Sequence, residues 1–204
     1  MEPIGIVKDG QIYDLQTAAA LNIQGTEIKA DDSKESLDIL RHSCAHLMAQ
    51  AIKELYPEAK FFVGPVVKEG FYYDFKVESK ISEEDLTTIE KKMKEIADRR
   101  LPITRHETTK EEFYEKFKND ELKQAVLKNI TDTVLTIYKQ GDFEDLCRGP
   151  HLPNTRMIRS FKLTRVAGAY LGGDEKNEMI TRIYGIAFFD KQALNDYVKM
   201  IEEA

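Results

Sequence analysis

Four side chains carry most of the chemistry this chain offers near neutral pH. His42-Ser43-Cys44-Ala45-His46 and Cys147-Arg148-Gly149-Pro150-His151 each set two proton-transferring or metal-ligating groups four positions apart. Together they use three of the four histidines and one of the two cysteines. Imidazole is the side chain that changes charge between about pH 5 and 8, and thiolate with imidazole is also a zinc ligand set. If His42, His46, Cys147 and His151 all bound zinc, the site would be closed and structural. Three of them plus a water would leave the open position that catalysis needs. Without a metal, one histidine serves as general base on a water and the others orient the substrate. Cys147 as a covalent nucleophile, activated by a nearby base, is the third option.

Elements distant in sequence must bring the two pairs together. The spacing predicts a helix over 34–56, because Leu37, Leu40, Cys44, Leu47, Ala51 and Leu55 recur with helical period. Asp32 with Glu35 reads as its capping box. His42 and His46 share one face, opposite that stripe and among Ile39, Ala45 and Ala49. A solvated face would carry Glu and Lys, so this helix is expected to be covered on both sides and to line a cleft. The second pair spans Pro150, which lacks an N–H and restricts Gly149, so it is expected on a loop.

The remaining pattern interleaves strands and helices. Strands are expected at 61–63, 71–75, 103–107, 134–138, 161–166 and 179–189, with turns at 68–70 and 172–174. Helices are expected at 83–99 (capped by Ser82 with Asp85), after Thr109 (with Glu112), at 121–128 and at 191–203. Strict βαβ alternation is missing, which favours an α+β fold with a mostly antiparallel sheet. Residues 1–30 stand apart: Asp9-Gly10 between short apolar runs predicts a hairpin, followed by a short helix at 15–21 and a strand at 26–29. Thirty residues bury too little to be stable alone. They read as a small β-rich N-terminal appendage, joined by a polar linker to one domain over 34–204.

Composition narrows the setting. No run approaches the roughly 18 apolar residues of a membrane span, and the N-terminus lacks the basic-then-apolar order of a signal peptide. Two cysteines make no disulfide framework, so a reduced, cytoplasmic location is expected. The net charge of −6 argues against non-specific nucleic-acid binding over the whole surface. Yet residues 148–173 hold no Asp or Glu and carry Arg148, Arg156, Arg159, Lys162 and Arg165. Such a strip is either a phosphate track or the ordinary cations of a solvated strand.

Several strings together resemble a known family. They are His42-Ser-Cys-Ala-His46, Gly70-Phe-Tyr-Tyr-Asp74, Asp145-Leu-Cys-Arg-Gly-Pro-His-Leu-Pro153, Ala167-Gly-Ala-Tyr170 and Arg182-Ile-Tyr-Gly185. Over 34–204 the chain resembles the N-terminal editing region of bacterial threonyl-tRNA synthetases. Alanyl-tRNA synthetase editing domains share the spacing with different interior residues. The resemblance implies hydrolysis of seryl-tRNA made in error on the threonine tRNA, giving serine and free tRNA. It puts His42, His46, Cys147 and His151 in the catalytic site. Tyr73 and Lys123 become substrate-pocket residues, and Asp145 contacts the substrate or orients a partner; Arg148, where the acid-free strip begins, is the substrate-binding residue that opens the phosphate track to the tRNA 3′ end. It implies a metal-free site for the threonyl branch, with zinc on the same four residues as the alternative. Further synthetase domains are implied as partners, and a homodimer at full length. ATP and magnesium belong to the family's aminoacylation core, which these 204 residues do not include, so the chain reads as a fragment. Rival readings are a zinc-dependent hydrolase of small molecules and a non-enzymatic RNA-binding module with a structural metal.

Overall fold

A computed structural model describes residues 1–204. The chain begins with β1 (Pro3–Lys8), β2 (Gln11–Asp14), α1 (Leu15–Ala20) and β3 (Thr26–Lys29). The long helix α2 (Lys34–Leu55) follows, then β4 (Lys60–Phe61), β5 (Val66–Val67), β6 (Gly70–Lys76) and α3 (Leu86–Ala97). Next come β7 (Thr104–Thr109), α4 (Lys110–Lys116), α5 (Glu121–Lys128), β8 (Val134–Gln140) and β9 (Phe143–Leu146). The chain closes with β10 (Ser160–Tyr170), β11 (Met179–Phe188) and α6 (Lys191–Glu203). The strands form three sheets, ordered β2-β1-β3, β10-β11-β6-β4 with β5 also on β6, and β7-β8-β9. Every pairing is antiparallel, as the α+β expectation requires.

α2 is the axis of the molecule. It packs against α3, β6 and β11, and also reaches β3, β5 and β9. Its residues 36–52 are all buried except Asp38 and His42, which matches the prediction of a helix covered on both sides. An amphipathic helix would leave one face to water. The expected Asp32–Glu35 capping box is not formed. Ser33 is the N-cap, and its hydroxyl accepts from the Ser36 N–H. Asp32 instead accepts from the backbone of Phe189, which leaves the next hydroxyl to cap the helix.

A helix buried on nearly all sides needs directional contacts to fix its rotation, and buried polar side chains supply them here. Arg41 donates to the Ala187 carbonyl at 3.0 Å and lies over the Phe188 ring. Ser43 accepts from the Leu152 N–H at 2.8 Å. Gln50 accepts from the Gln140 side chain at 2.8 Å. Each bond ties one turn of α2 to a different part of the chain. A buried polar group left without its partner costs about 1–3 kcal/mol, so these contacts select one orientation.

The main sheet is registered by Asp74 and Arg182, which stand directly opposite on β6 and β11. The guanidinium donates to both carboxylate oxygens, at 2.6 and 2.8 Å, while stacking 3.9 Å from the Tyr72 ring centre. Ile4 and Ile28 of the first sheet share one hydrophobic core with α2, α3, β6, β10 and β11. A smaller cluster of Phe113, Leu127, Leu135 and Ile137 holds α4 and α5 on the third sheet.

Candidate active site

The two sequence pairs meet. His42 and His46 project from the middle of α2, and Cys147–His151 follows β9 as an irregular loop, as Pro150 requires. One ligand-type atom from each of His42, Cys147 and His151 lies within 4.8 Å of the others. His46 is not one of the three. Its ring stands 4.3 Å from that of His151, centre to centre, and 6.1 Å from Tyr73.

His151 is held at both ring nitrogens. Nδ1 is 3.1 Å from the Ser43 hydroxyl and Nε2 is 3.2 Å from the Cys147 sulfur. Neutral imidazole donates from one nitrogen and accepts at the other, so either tautomer satisfies this pair. Cys147 Sγ also accepts from the Gly149 N–H at 3.3 Å. His42 differs, because its Nδ1 is buried without a partner. Its edge lines an open cleft of about 620 Å³ with Ile12, Arg41, Glu69 and Pro150. Cys147 faces a second cleft, of about 410 Å³, with Thr136, Leu146, Asp132 and Arg148.

A second buried cluster abuts the histidines. Asp145 on β9 accepts from the Tyr73 hydroxyl of β6 and from the Lys123 ammonium of α5. Lys123, on a short helix with weak patterning, is only 3% exposed. An ammonium so buried needs a close carboxylate to offset its lost hydration. Its side chain also borders a third cleft, of about 270 Å³, with Phe61 and Phe143.

Burial sets the charge state of these groups. It lowers His46 to about 4, with nearby Asp145 opposing. It takes His151 well below the ordinary imidazole value, helped by repulsion from His46 and His42. His42 is lowered too, with Asp38 opposing. At pH 7 all three rings are neutral, able to accept a proton or bind a metal. Burial pushes the Cys147 thiol up to about 12, so it is not a thiolate at that pH.

Arg148 is exposed and pairs with Asp132 at 3.3 Å, and both line the Cys147 cleft. The strip it opens lacks acids only along the chain. In space α3 and its flanks supply them: Asp98 pairs with Arg159, and Glu90 and Glu83 accept from the Leu163 and Val166 N–H groups. Arg165 stacks over Tyr184. Arg156 and Lys162 remain exposed.

Sequence reasoning missed three residues around the loop. Ser43 lies inside the first motif, where its hydroxyl was available to be read as a histidine partner. Tyr138 of β8 puts its ring 4.4 Å from His151. Asp14 accepts from the His151 backbone N–H at 2.9 Å. Nothing local in the sequence signals these last two, because their partners lie more than a hundred residues away or behind a strand's ordinary apolar pattern.

Residues 135–184 match the family model described as the threonyl and alanyl tRNA synthetase second additional domain. That segment holds Asp145, Cys147 and His151. The whole chain is 64% identical over 203 residues to a threonine–tRNA ligase of Campylobacter jejuni, covering 33% of that protein. A threonine–tRNA ligase of Campylobacter lari is 71% identical over 88% of the chain, and one of Helicobacter hepaticus is 64% identical over its full extent. These matches cover 30% and 34% of their proteins, so the chain spans about a third of the length of its relatives. With the motifs, the antiparallel α+β fold and the relatives in agreement, the chain belongs to the threonyl-tRNA synthetase family.

Proposed function

We propose that the chain is a hydrolytic editing domain that deacylates seryl-tRNA(Thr). The observation that carries this reading is the convergence of His42, Cys147 and His151, from opposite halves of the sequence, with their imidazoles held neutral by burial. His42 is the general base. Its ring lines an open cleft and is not tied up at both nitrogens as that of His151 is. It takes a proton from a water as the water oxygen attacks the ester carbonyl carbon. The tetrahedral intermediate then expels the ribose oxygen, which regains a proton from the imidazolium. Serine and tRNA with a free 3′ end leave, and His42 is neutral again. His151, fixed at both nitrogens, and the Tyr73–Asp145 pair shape the site around the aminoacyl group, and the Lys123 ammonium, with N–H groups beyond the one given to Asp145, offers a donor to the developing oxyanion.

The need for such a reaction follows from size. Serine lacks one methyl group of threonine, and a missing methylene is worth only about 1–3 kcal/mol in a pocket. A synthetic site therefore charges some serine, and a second site too small for the methyl removes it. The tRNA(Thr) 3′ end is the macromolecular partner in this reading. Arg156 and Lys162 are the free cations nearest to a phosphate track, a narrower strip than the sequence suggested. The remaining domains of the full-length synthetase, as a cytoplasmic homodimer, would deliver the tRNA. No helix here is long and apolar enough to cross a membrane.

His42, Cys147 and His151 also have the chemistry of three zinc ligands with a fourth position open. Zinc bound there would lower the pKa of its water and make a hydroxide available. The reading preferred here needs no cofactor, because a neutral imidazole already faces the cleft. The test is hydrolysis of seryl-tRNA(Thr) against threonyl-tRNA(Thr) by the chain, with and without a chelator. Selective, chelator-resistant loss of serine supports the reading. Activity that requires zinc and no tRNA would replace it with a small-molecule hydrolase.

A further inference from the structure

Residues 1–30 reach the site chiefly through Asp14, with Thr17 Oγ1 also 3.1 Å from the Tyr138 hydroxyl. Asp14 ends β2, caps α1 and is buried. Its Oδ1 accepts from the Thr17 N–H at 2.8 Å, which is all that an N-cap needs. Its Oδ2 serves the far half of the chain. It accepts from the Tyr138 hydroxyl at 2.5 Å and from the His151 backbone N–H at 2.9 Å. The Tyr138 ring, so held, packs against the His151 imidazole. Gly149 completes the fit. Its φ is +77°, and a Cβ there would stand 2.4 Å from the Tyr138 hydroxyl and 2.9 Å from Asp14 Oδ2. Two residues before Asp14, Ile12 forms a wall of the His42 cleft beside Pro150.

We propose that Asp14 is a positioning residue of the hydrolytic site. It fixes the backbone of His151 directly and the plane of its imidazole through Tyr138, which makes residues 1–30 a working part of the site. A carboxylate accepting N–H and O–H groups in a buried place forms stronger, more directional bonds than neutral acceptors do. Displacement of a catalytic group by about 1 Å costs on the order of 100-fold in rate. The activity arm of this proposal rests on the deacylase reading, while its geometric arm does not.

The test uses the whole chain and four proteins. Asp14→Ser keeps a good helix cap and is too short to reach His151. Asp14→Asn keeps an oxygen for the His151 N–H and weakens the cap. Gln16→Ala cuts a separate polar tie of this region, to the Ile103 carbonyl and the Arg105 N–H, away from the histidines. With seryl-tRNA, Asp14→Ser should lose about 100-fold in kcat with KM within about threefold. Asp14→Asn should recover most of that loss, and Gln16→Ala should leave kcat within about twofold even if it melts earlier. Alkylation of Cys147 by iodoacetamide reads the loop without any tRNA, since Cys44 is fully buried. Its rate should rise several-fold in Asp14→Ser and not in Gln16→Ala. Wild-type kcat and alkylation in a folded Asp14→Ser, or equal effects from Gln16→Ala, would overturn the proposal. If Asp14→Ser does not fold, Tyr138→Phe decides. It keeps the ring, removes one donor to Asp14 along with the contact to Thr17 Oγ1, and should still speed alkylation, and an unchanged rate overturns the proposal. A wild-type protein that spares seryl-tRNA would sink the deacylase reading and leave the alkylation comparison to judge Asp14 alone.

Discussion

His42, His46 and His151 sit within one cluster yet have different neighbours, and that separates their roles. His42 must be uncharged to take a proton from water, and burial holds it below its ordinary value of 6.5. Turnover should therefore be level from about pH 7 upward and fall at lower pH as His42 becomes protonated, with the half-point under 6.5. A pH–rate profile, corrected for spontaneous ester hydrolysis, checks this; a half-point above 6.5 would exclude His42 as the base. Cys147, raised to about 12, is a poor nucleophile at neutral pH. Cys147→Ala should keep activity within about tenfold, whereas His42→Ala should lose about 100-fold or more. The reverse order in single-turnover assays would point to a thioester intermediate.

Elements hold these residues in place, and α5 is the least obvious of them. It is fastened to β9 and β6 by Lys123, Asp145 and Tyr73. Removing only the ammonium strands a buried carboxylate. Lys123→Met should therefore cost about 3–5 kcal/mol and speed deuterium exchange across residues 121–128. Adding Asp145→Asn should recover part of the loss, since the orphaned charge is gone, and urea melts of the two variants compare them. The bounds of α5 and α6, the Thr109 cap and the β10–β11 hairpin were legible because periodicity and capping are local. The meeting of the two pairs was legible because the residue types are scarce and match a family. Other features depended on distant contacts. β9 is a four-residue strand behind a Gly141 turn, too short to declare itself. Lys123 looks solvated until Asp145 is placed against it. The acids that meet the 148–173 strip come from elsewhere in the chain: Asp132 pairs with Arg148, Asp98 with Arg159, and Glu90 accepts from the Leu163 N–H across 73 positions. Asp14 lies in a segment that reads as an appendage, while its bonds to Tyr138 and His151 tie it to the site.

At the scale of the molecule, buried neutral histidines make stability depend on pH. His46 is at about 4 in the folded chain against an ordinary 6.5 when unfolded. Above pH 6.5 neither state binds the proton and the stability is fully present. Between 6.5 and 4 the unfolded state takes up a proton that the folded state refuses, so stability falls. The loss from this group is on the order of 3 kcal/mol. His151 and His42 act in the same direction. Denaturant midpoints should therefore drop from pH 7 to pH 5, and His46→Gln should flatten the slope. A midpoint that rises on acidification would contradict the charge states on which the mechanism depends.

The clefts at His42 and at Cys147 share no lining residue, although both side chains belong to one cluster. Two doors into one room mean that a bulky visitor standing in the first does not shut the second. A small electrophile aimed at the sulfur should thus find its target while an RNA end occupies the imidazole's entrance. Chemical labelling can in this way report on a loaded domain without evicting its guest.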